Sequence, residues 1–449
     1  MDLAATSGQA KALKRGDTVE LFIDGLTHDG RGIARHNGKV VFVADALPQE
    51  TVSATVVRRR RKRDEARAAE IISPSPQRVS PACAWFGSCG GCSLQHLDAS
   101  AQLAVKQEWL LESLRRIGEI EPAEVLEPLA GPVWGYRRKA RLGVKYVDGK
   151  QRVLAGFRER YKPYVTDMQG CEVLDRRLAV LIEPIQQLVA GMSIRRRLPQ
   201  VEMAAGDDRV VLVMRVLDPP SDEDMQLLHE FEKDYAIDLC LQPGNLDSIV
   251  TLQGDRPPPM HFRLASHDVE IEFQAVDFIQ INAAINAAMI DRVVDFLAPG
   301  PADNVLDLYS GLGNFTLPLA RRAGSVTAVE GAAALVARAA DNARRNGIDN
   351  ASFHTADLAA DPAGSALLER EYDLVLLDPP RSGAEAVCSV AQRFNARRLA
   401  YVSCHPATLA RDAGILAASG RYRLQAAGVM DMFPHTAHVE SLALFERVA

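Results

Sequence analysis

The sequence predicts an α/β chain with a Rossmann-like parallel sheet in its C-terminal part, a small β-barrel at the front and a mixed α+β segment between them. Three patterns carry that prediction. From residue 281 onward, strand-like runs alternate with loops and helices ("NVLDLYSGLGNFTLPLA", "SVTAVEG", "AALVARAADNARRNG", "YDLVLLDPP", "RRLAYVSC"), the pattern of a parallel sheet covered on both faces. Residues 15–72 hold short β-branched runs punctuated by Gly, Asn-Gly and Asp, which predicts a five-stranded barrel of the kind that binds single-stranded nucleic acid. Residues 130–275 mix β-like runs ("RRKARLGVKYV", "RVVLVMRVL") with one amphipathic helix, "LAVLIEPIQQLVAGM".

The remaining elements follow in order. "SPSPQRVSP" (73–81) is a Pro/Ser linker, "ASAQLAVKQEWLLESLRRIGEI" has helical period, and "DRPPPM" marks a turn or an edge. The last 30 residues contain two strand candidates, expected as an antiparallel edge. A length of 449 residues suits about three domains. No apolar run of about 18 residues exists, and the N-terminus has no apolar signal core. A cytoplasmic protein is therefore expected, with no membrane contact and no obligate protein partner.

Charge is distributed unevenly. Residues 1–80 carry a net charge of +4, with six consecutive cations at Arg58–Arg63, whereas residues 281–449 contain no lysine and carry −3. The cation run has the character of a phosphate-contacting patch. "WGYRRKARL" (134–142) adds Arg137, Arg138, Lys139 and Arg141 beside Trp134 and Tyr136, a combination suited to bases splayed from a loop.

In open α/β sheets ligands lie at the C-terminal ends of the strands, and the chemistry-bearing residues fall there. "DLYSGLGNF" (307–315) is a Gly loop without the third Gly of a dinucleotide fingerprint. A pyrophosphate fits it poorly; S-adenosylmethionine, which has no phosphate, fits. Glu330 ends the next strand, 19 residues after Gly311, placed to accept hydrogen bonds from ribose hydroxyls, and Asp357 ends a third. Asp378 precedes two prolines in "LLDPPRSG"; Arg381 follows where enzymes that methylate base amino groups carry an aromatic residue.

Cys404, in "YVSCHP", ends the strand after Asp378. Such a cysteine is ordinarily core. Beside a methyl donor it is what pyrimidine C5 methylation requires. Uracil C5 is a feeble nucleophile until a thiolate adds at C6, and a base must then remove the C5 proton. Glu440, in "HTAHVESLALF", is the candidate base.

The seven cysteines are too unevenly spread for a disulfide framework. "CAWFGSCGGCSLQH" spaces Cys83, Cys89 and Cys92 as C-x5-C-x2-C, which suits zinc or [4Fe–4S]. Cys171, Cys240 and His96 are the candidates for a fourth ligand.

The motifs "CGGCSLQH", "DFIQIN", "DLYSGLGNFTLPLA", "LDPPRSG", "YVSC-PATLARD" and "HVESLALF" together resemble the RNA uracil-5-methyltransferase family over nearly the whole chain. The resemblance implies a TRAM barrel over 12–72. It implies a central domain over 73–94 and 128–275 with a [4Fe–4S] cluster on Cys83, Cys89, Cys92 and Cys171. It implies an S-adenosylmethionine-dependent methyltransferase domain over 95–127 and 276–449. Gln280, Tyr309, Gly311, Glu330 and Asp378 match cofactor-holding positions, with Asn314 and Asp357 as helpers; Cys404 matches the nucleophile and Glu440 the base. Within the family, the resemblance sets this chain apart from a tRNA enzyme that lacks the cysteine cluster and the barrel and from another 23S enzyme that lacks the barrel; this chain has both, so the uridine of 23S ribosomal RNA conventionally numbered 1939 is the expected substrate. The alternatives are tRNA or another 23S uridine, or a non-catalytic RNA-binding or cluster-sensing protein. Two departures stand out. His405 occupies the place of the usual Asn after the nucleophile, and Glu172 that of the usual Pro after the fourth cysteine.

Overall fold

The computed structural model describes residues 13–360, 367 and 370–448. Residue 12, where the expected barrel begins, residue 449 and most of the polar loop over 361–369 lie outside them. Two compact units are present. The first comprises the described residues up to Gly87, with Cys92–Val105 and His435–Ala437; the second comprises Ser88–Gly91, Lys106–Pro434 and His438 onward.

The sheet of the first unit has six strands rather than five. Thr18–Phe22 pairs with Thr51–Arg59, followed in the sheet by Arg63–Ser73, Lys39–Ala44, Gly32–His36 and Gly25–Leu26. The additional strand, Gly25–Leu26, is two residues long, too short to show a period of two. Asn37 and Gly38 take φ of +50° and +77° and turn one hairpin tightly, as Asn-Gly does. Alternate residues of Thr51–Arg59 point inward, and Val52, Ala54, Val41, Val43, Leu21 and Ile23 form the core. The Arg58–Arg63 run forms the turn between the two longest strands, with all six residues exposed. Within it, Arg60 pairs with Glu65 at 2.8 Å.

The second unit contains two large sheets. One has the order Val250–Thr251, Asp238–Gln242, Val210–Arg215, Gln200–Ala205, Lys139–Val147, Arg152–Gly156. The region holds more than the one expected helix: that segment is split into Arg176–Ala179 and Ile182–Gly191, and a further helix spans Asp222–Tyr235. Pro184 has no N–H to return to the carbonyl of Val180, so the helical ladder is interrupted there.

The 134–142 run is divided: Trp134 and Arg141 are exposed, whereas Tyr136, Arg138 and Lys139 are engaged within the fold. Arg138 is 5% exposed, its guanidinium lies 4.4 Å over the Phe262 ring, and burial lowers its pKa to about 10. Tyr136 is buried and donates to the Pro434 carbonyl at 3.0 Å. Lys139 donates to the Asp277 carbonyl, and Arg141 pairs with Glu202 at 2.7 Å. Successive residues of an extended chain face opposite sides, so adjacent cations cannot all reach one surface.

The other large sheet positions the candidate site. Its order is Ala351–Thr355, Ser325–Glu330, Asn304–Leu308, Leu374–Leu377, Arg398–Ser403, Glu440–Arg447, Tyr422–Met430, Glu124–Val125. The first five strands are parallel. Glu440–Arg447 runs antiparallel to both neighbours and lies inside the sheet, between Arg398–Ser403 and Tyr422–Met430. Helices Ala283–Leu297 and Ala333–Arg345 contribute Ile285, Met289, Val293 and Ala343 to the apolar core around it. Lys106, on helix Ala99–Arg116, is fully buried and paired with Asp431 at 2.7 Å. Among the described residues, no helix is long and apolar enough to cross a membrane.

Candidate active site

Chain order reverses direction across the sheet at Asn304–Leu308. The next strand in sequence, Ser325–Glu330, lies on one side of it and Leu374–Leu377 on the other. The crevice beyond such a switch point is where ligands enter open α/β sheets. Five neighbouring strands bring Glu330, Asp307 with Tyr309, Asp378, Cys404 and Glu440 to this edge. At a strand spacing of about 4.8 Å the row spans roughly 19 Å.

The Gly loop stands at one end. Tyr309 takes a φ of +66° and its amide donates to the Val329 carbonyl at 2.8 Å. Gly311 has a φ of +54°, and a Cβ added to it would meet nothing within 4 Å, so the loop opens onto free space. Its amide donates to Glu330 Oε2 at 3.2 Å, while Oε1 accepts from the Ala332 amide at 2.9 Å. Burial raises the Tyr309 hydroxyl pKa, with further contributions from Cys388, Asp412, Asp357 and Glu330. A roomy Gly loop beside a strand-end carboxylate fits a nucleoside-bearing ligand.

Two of the expected cofactor helpers have structural partners. Asn314 exchanges a pair of amide hydrogen bonds with Asn286, at 2.9 and 3.0 Å. Asp357 lies two residues beyond its strand and caps the amides of Ala359 and Ala360 at 2.9 and 3.2 Å. Gln280 is buried, and its carbonyl accepts from Arg138 Nε at 3.3 Å.

The middle of the row is a line of desolvated acids. Asp307 accepts from the Thr316 hydroxyl through Oδ2; burial, and then the charge of Glu330, push its pKa to about 7. Burial and then Asp307 raise Asp378 to about 7. Burial and then Asp378 raise Glu440 to about 8. The Cys404 thiol is pushed to about 11, by burial first, then by Glu440 and Asp378. The burial cost of each charged form and mutual repulsion act in the same direction here.

Register explains why Cys404 and Glu440 meet. Ser403 pairs with Ser441 across the antiparallel ladder, and the Ser441 hydroxyl donates to the Ser403 carbonyl at 3.1 Å. One residue further out on each strand are Cys404 and Glu440. Beyond the nucleophile position, His405 caps helix Pro406–Ala418: its Nδ1 accepts from the Thr408 amide at 3.4 Å. Asn is a favoured cap because its side-chain oxygen accepts the same kind of bond, so His405 takes over that role.

Asp412, the last residue of "YVSC-PATLARD", has a role the sequence did not reveal. Fully buried, its Oδ2 accepts from the Tyr401 hydroxyl and the Ala384 amide, both at 2.6 Å, and its Oδ1 accepts from Arg411 Nε at 2.8 Å. Thr408 also donates to the Arg381 carbonyl at 3.3 Å. The helix behind Cys404 is thereby fastened to the loop behind Asp378. Phe278, two residues before Gln280, is 75% exposed, and nothing in its spacing had marked it.

The cysteine run behaves differently. Among the described residues, no group of three or more His, Cys, Asp or Glu side chains is placed to hold a metal ion. Cys83 and Cys92 belong to the first unit, Cys89 and Cys171 to the second. The rivals for a fourth ligand are otherwise engaged: Cys240 is core, its thiol pushed to about 12 by burial, and buried His96 packs on Phe86 with ring centroids 5.4 Å apart. Cys89 does have one feature of a sulfur ligand, since the Gly91 amide donates to its Sγ at 3.4 Å.

Comparison with known proteins agrees with this geometry. The tRNA (uracil-5-)-methyltransferase family model matches residues 99–448, and a TRAM domain matches residues 12–68. A 23S rRNA (uracil(1939)-C(5))-methyltransferase RlmD from Alkalilimnicola ehrlichii is 49% identical, over 96% of this chain and 97% of that one. Its counterpart from Methylococcus capsulatus is 48% identical over 98% and 99%. The crystal structure of Pyrococcus abyssi tRNA (uracil-54, C5)-methyltransferase with S-adenosyl-L-homocysteine matches with a TM-score of 0.72 and 25% identity, covering 95% of this chain and all of that one. From the acid-lined sheet edge and these matches together, the chain belongs to the tRNA (uracil-5-)-methyltransferase family.

Proposed function

We propose that this protein transfers a methyl group from S-adenosylmethionine to C5 of a uridine in 23S ribosomal RNA. The uridine is the one conventionally numbered 1939, as in the relatives' names. The observation that carries the chemistry is the pairing of Cys404 with Glu440 one step beyond Ser403 and Ser441, at the same sheet edge as the Gly loop. Cys404 Sγ, as thiolate, adds to C6, and the ring's electron pair moves to C5 and O4. C5 then takes the methyl group from the sulfonium, leaving S-adenosylhomocysteine. Glu440 removes the remaining C5 proton, the C6–S bond breaks, and the thiolate departs from the methylated base. Gln280, Tyr309, Gly311, Glu330 and Asp378 would hold the methyl donor. A uridine in a duplex has to leave its stack to reach this edge.

The substrate reading rests on the names of relatives 48–49% identical over nearly the whole chain. The test is methylation of protein-free 23S and tRNA transcripts in parallel, with the product position mapped by mass spectrometry. Product only in tRNA, or at a different 23S uridine, would replace this substrate. A [4Fe–4S] cluster on Cys83, Cys89, Cys92 and Cys171 belongs to the same reading. It is supported by the C-x5-C-x2-C spacing, by the soft thiolate donor set and by the amide directed at Cys89. Iron and acid-labile sulfide analysis of anaerobically purified protein checks it, and zinc in their place would overturn it.

A further inference from the structure

The hairpin turn over residues 158–164, "RERYKPY", was singled out by no motif. It contains three cations, one carboxylate and two tyrosines. Tyr161 and Tyr164 are 73% and 64% exposed, against 7% for Tyr136 in the run that the sequence had marked for RNA. Exposed singly, aromatic residues need no explanation, but two in one cationic turn do.

Two further observations argue for a ligand. Tyr161 takes a φ of +64°, a conformation that Gly or Asn adopts readily and that is strained for a bulky residue. Burial does not offset that strain, because the ring stands in solvent. The Arg160 guanidinium lies 5.1 Å from the Tyr161 ring centroid, supporting the ring.

The turn is also held in place. Glu159 N–H donates to Tyr164 O at 2.8 Å, and Arg158 Nη1 donates to Pro163 O at 2.8 Å. Its base is hydrogen-bonded to the cysteine run: Gly90 N–H to Arg158 O at 2.8 Å, and Arg160 N–H to Ser88 O at 2.7 Å. A Cβ on Gly90 would stand 3.0 Å from the Arg158 carbonyl, a tight contact that a glycine avoids. An ordered aromatic turn loses little conformational freedom when a ligand stacks on it.

We propose that the 158–164 turn is a stacking platform for unpaired bases of the RNA substrate, with Tyr161 and Tyr164 as the stacking residues and the flanking cations beside the phosphates. Every base presents a π-face to such rings, and cations nearby attract the backbone. This inference rests on the reading that the substrate is RNA. It concerns capture rather than chemistry, since neither tyrosine belongs to the Cys404 edge.

The test is steady-state methylation of protein-free 23S transcript by the full-length protein carrying Tyr161→Ala and Tyr164→Ala together. The KM for RNA is expected to rise about tenfold or more, with kcat at saturating RNA, the KM for S-adenosylmethionine and the melting temperature unchanged. Tyr161→Phe with Tyr164→Phe should retain wild-type KM, because the π-face survives. An unchanged KM in the double alanine variant would overturn the platform. So would a defect seen with assembled ribosomal particles and not with protein-free RNA, which would assign the turn to a protein contact. If the wild-type protein methylates no RNA, the functional reading fails, and it does so separately from the platform.

Discussion

At the sheet edge, Asp307, Asp378 and Glu440 are buried together and their carboxyls are pushed to about 7, 7 and 8, whereas at the Arg58–Arg63 turn six cations stand in water. The first region holds groups whose charge is suppressed and can change near neutral pH. The second holds cations exposed to solvent. Bond making needs groups that gain and lose protons within the working pH range. Capture of a polyanion needs charge that never switches off and can release counterions. Burial and residue type together set the acids of the sheet edge apart from the exposed cations of the turn.

The largest effect should follow from Cys404→Ala, which removes the proposed nucleophile. Methyl transfer is expected to fall by at least about 10⁴-fold with RNA binding intact, measured by tritium incorporation and by a binding isotherm. Turnover surviving in this variant would place the chemistry elsewhere. Glu440→Gln should break the cycle later. It leaves addition and methyl transfer possible but removes the base, so a covalent protein–RNA adduct accumulates and is seen on a denaturing gel. Normal turnover without adduct would rule out Glu440 as base.

Smaller effects sharpen the electrostatic side. Alkylation of Cys404 by iodoacetamide should rise with pH towards about 11. Glu440→Gln should shift that profile to lower pH by removing a neighbouring negative charge; an unshifted profile would leave burial as the whole cause. The raised carboxyls also link stability to pH. Each stabilises fully below its unfolded value of about 4 and loses that contribution as pH rises through the folded value of about 7 to 8. Between those limits the melting temperature of Asp378→Asn should fall less steeply with pH than that of the wild type. The smallest effect should come from Arg61→Ala with Lys62→Ala at the exposed turn. RNA affinity is expected to weaken a few-fold, and the salt slope to decrease by up to about 2, in binding titrations at several salt concentrations.

The alternation of strand and helix, the Gly loop and the positions of Cys404 and Glu440 were legible because they depend on local pattern and chain order. Other features depend on partners far away in sequence. Arg138 was read as a surface cation, and its burial against Phe262 is set by packing that no local window contains. Asp412 was given no role beyond its place in "YVSC-PATLARD", yet it joins Tyr401, Ala384 and Arg411. The five-strand estimate missed a two-residue strand because so short a run carries no period. His405 was a departure with no assigned role, and the cap at Thr408 supplies one. The cysteines show a related limit: spacing alone marked Cys83, Cys89 and Cys92, and the fourth candidate, Cys171, came only from the family resemblance because it is far away in sequence.

The antiparallel strand Glu440–Arg447 has a consequence for how this enzyme tolerates changes in length. Its pairing with Arg398–Ser403 is uninterrupted from Arg398 with Glu446 to Ser403 with Ser441, whereas its pairing with Tyr422–Met430 contains an irregularity between Leu424 and Ala426. A single inserted or deleted residue on the Tyr422–Met430 side can be absorbed as a bulge. The same change within Glu440–Arg447 would turn Glu440 to the opposite face of the sheet. The ladder between nucleophile and base thus acts as a ruler with no slack, and its far side is where a change in length is expected to be tolerated.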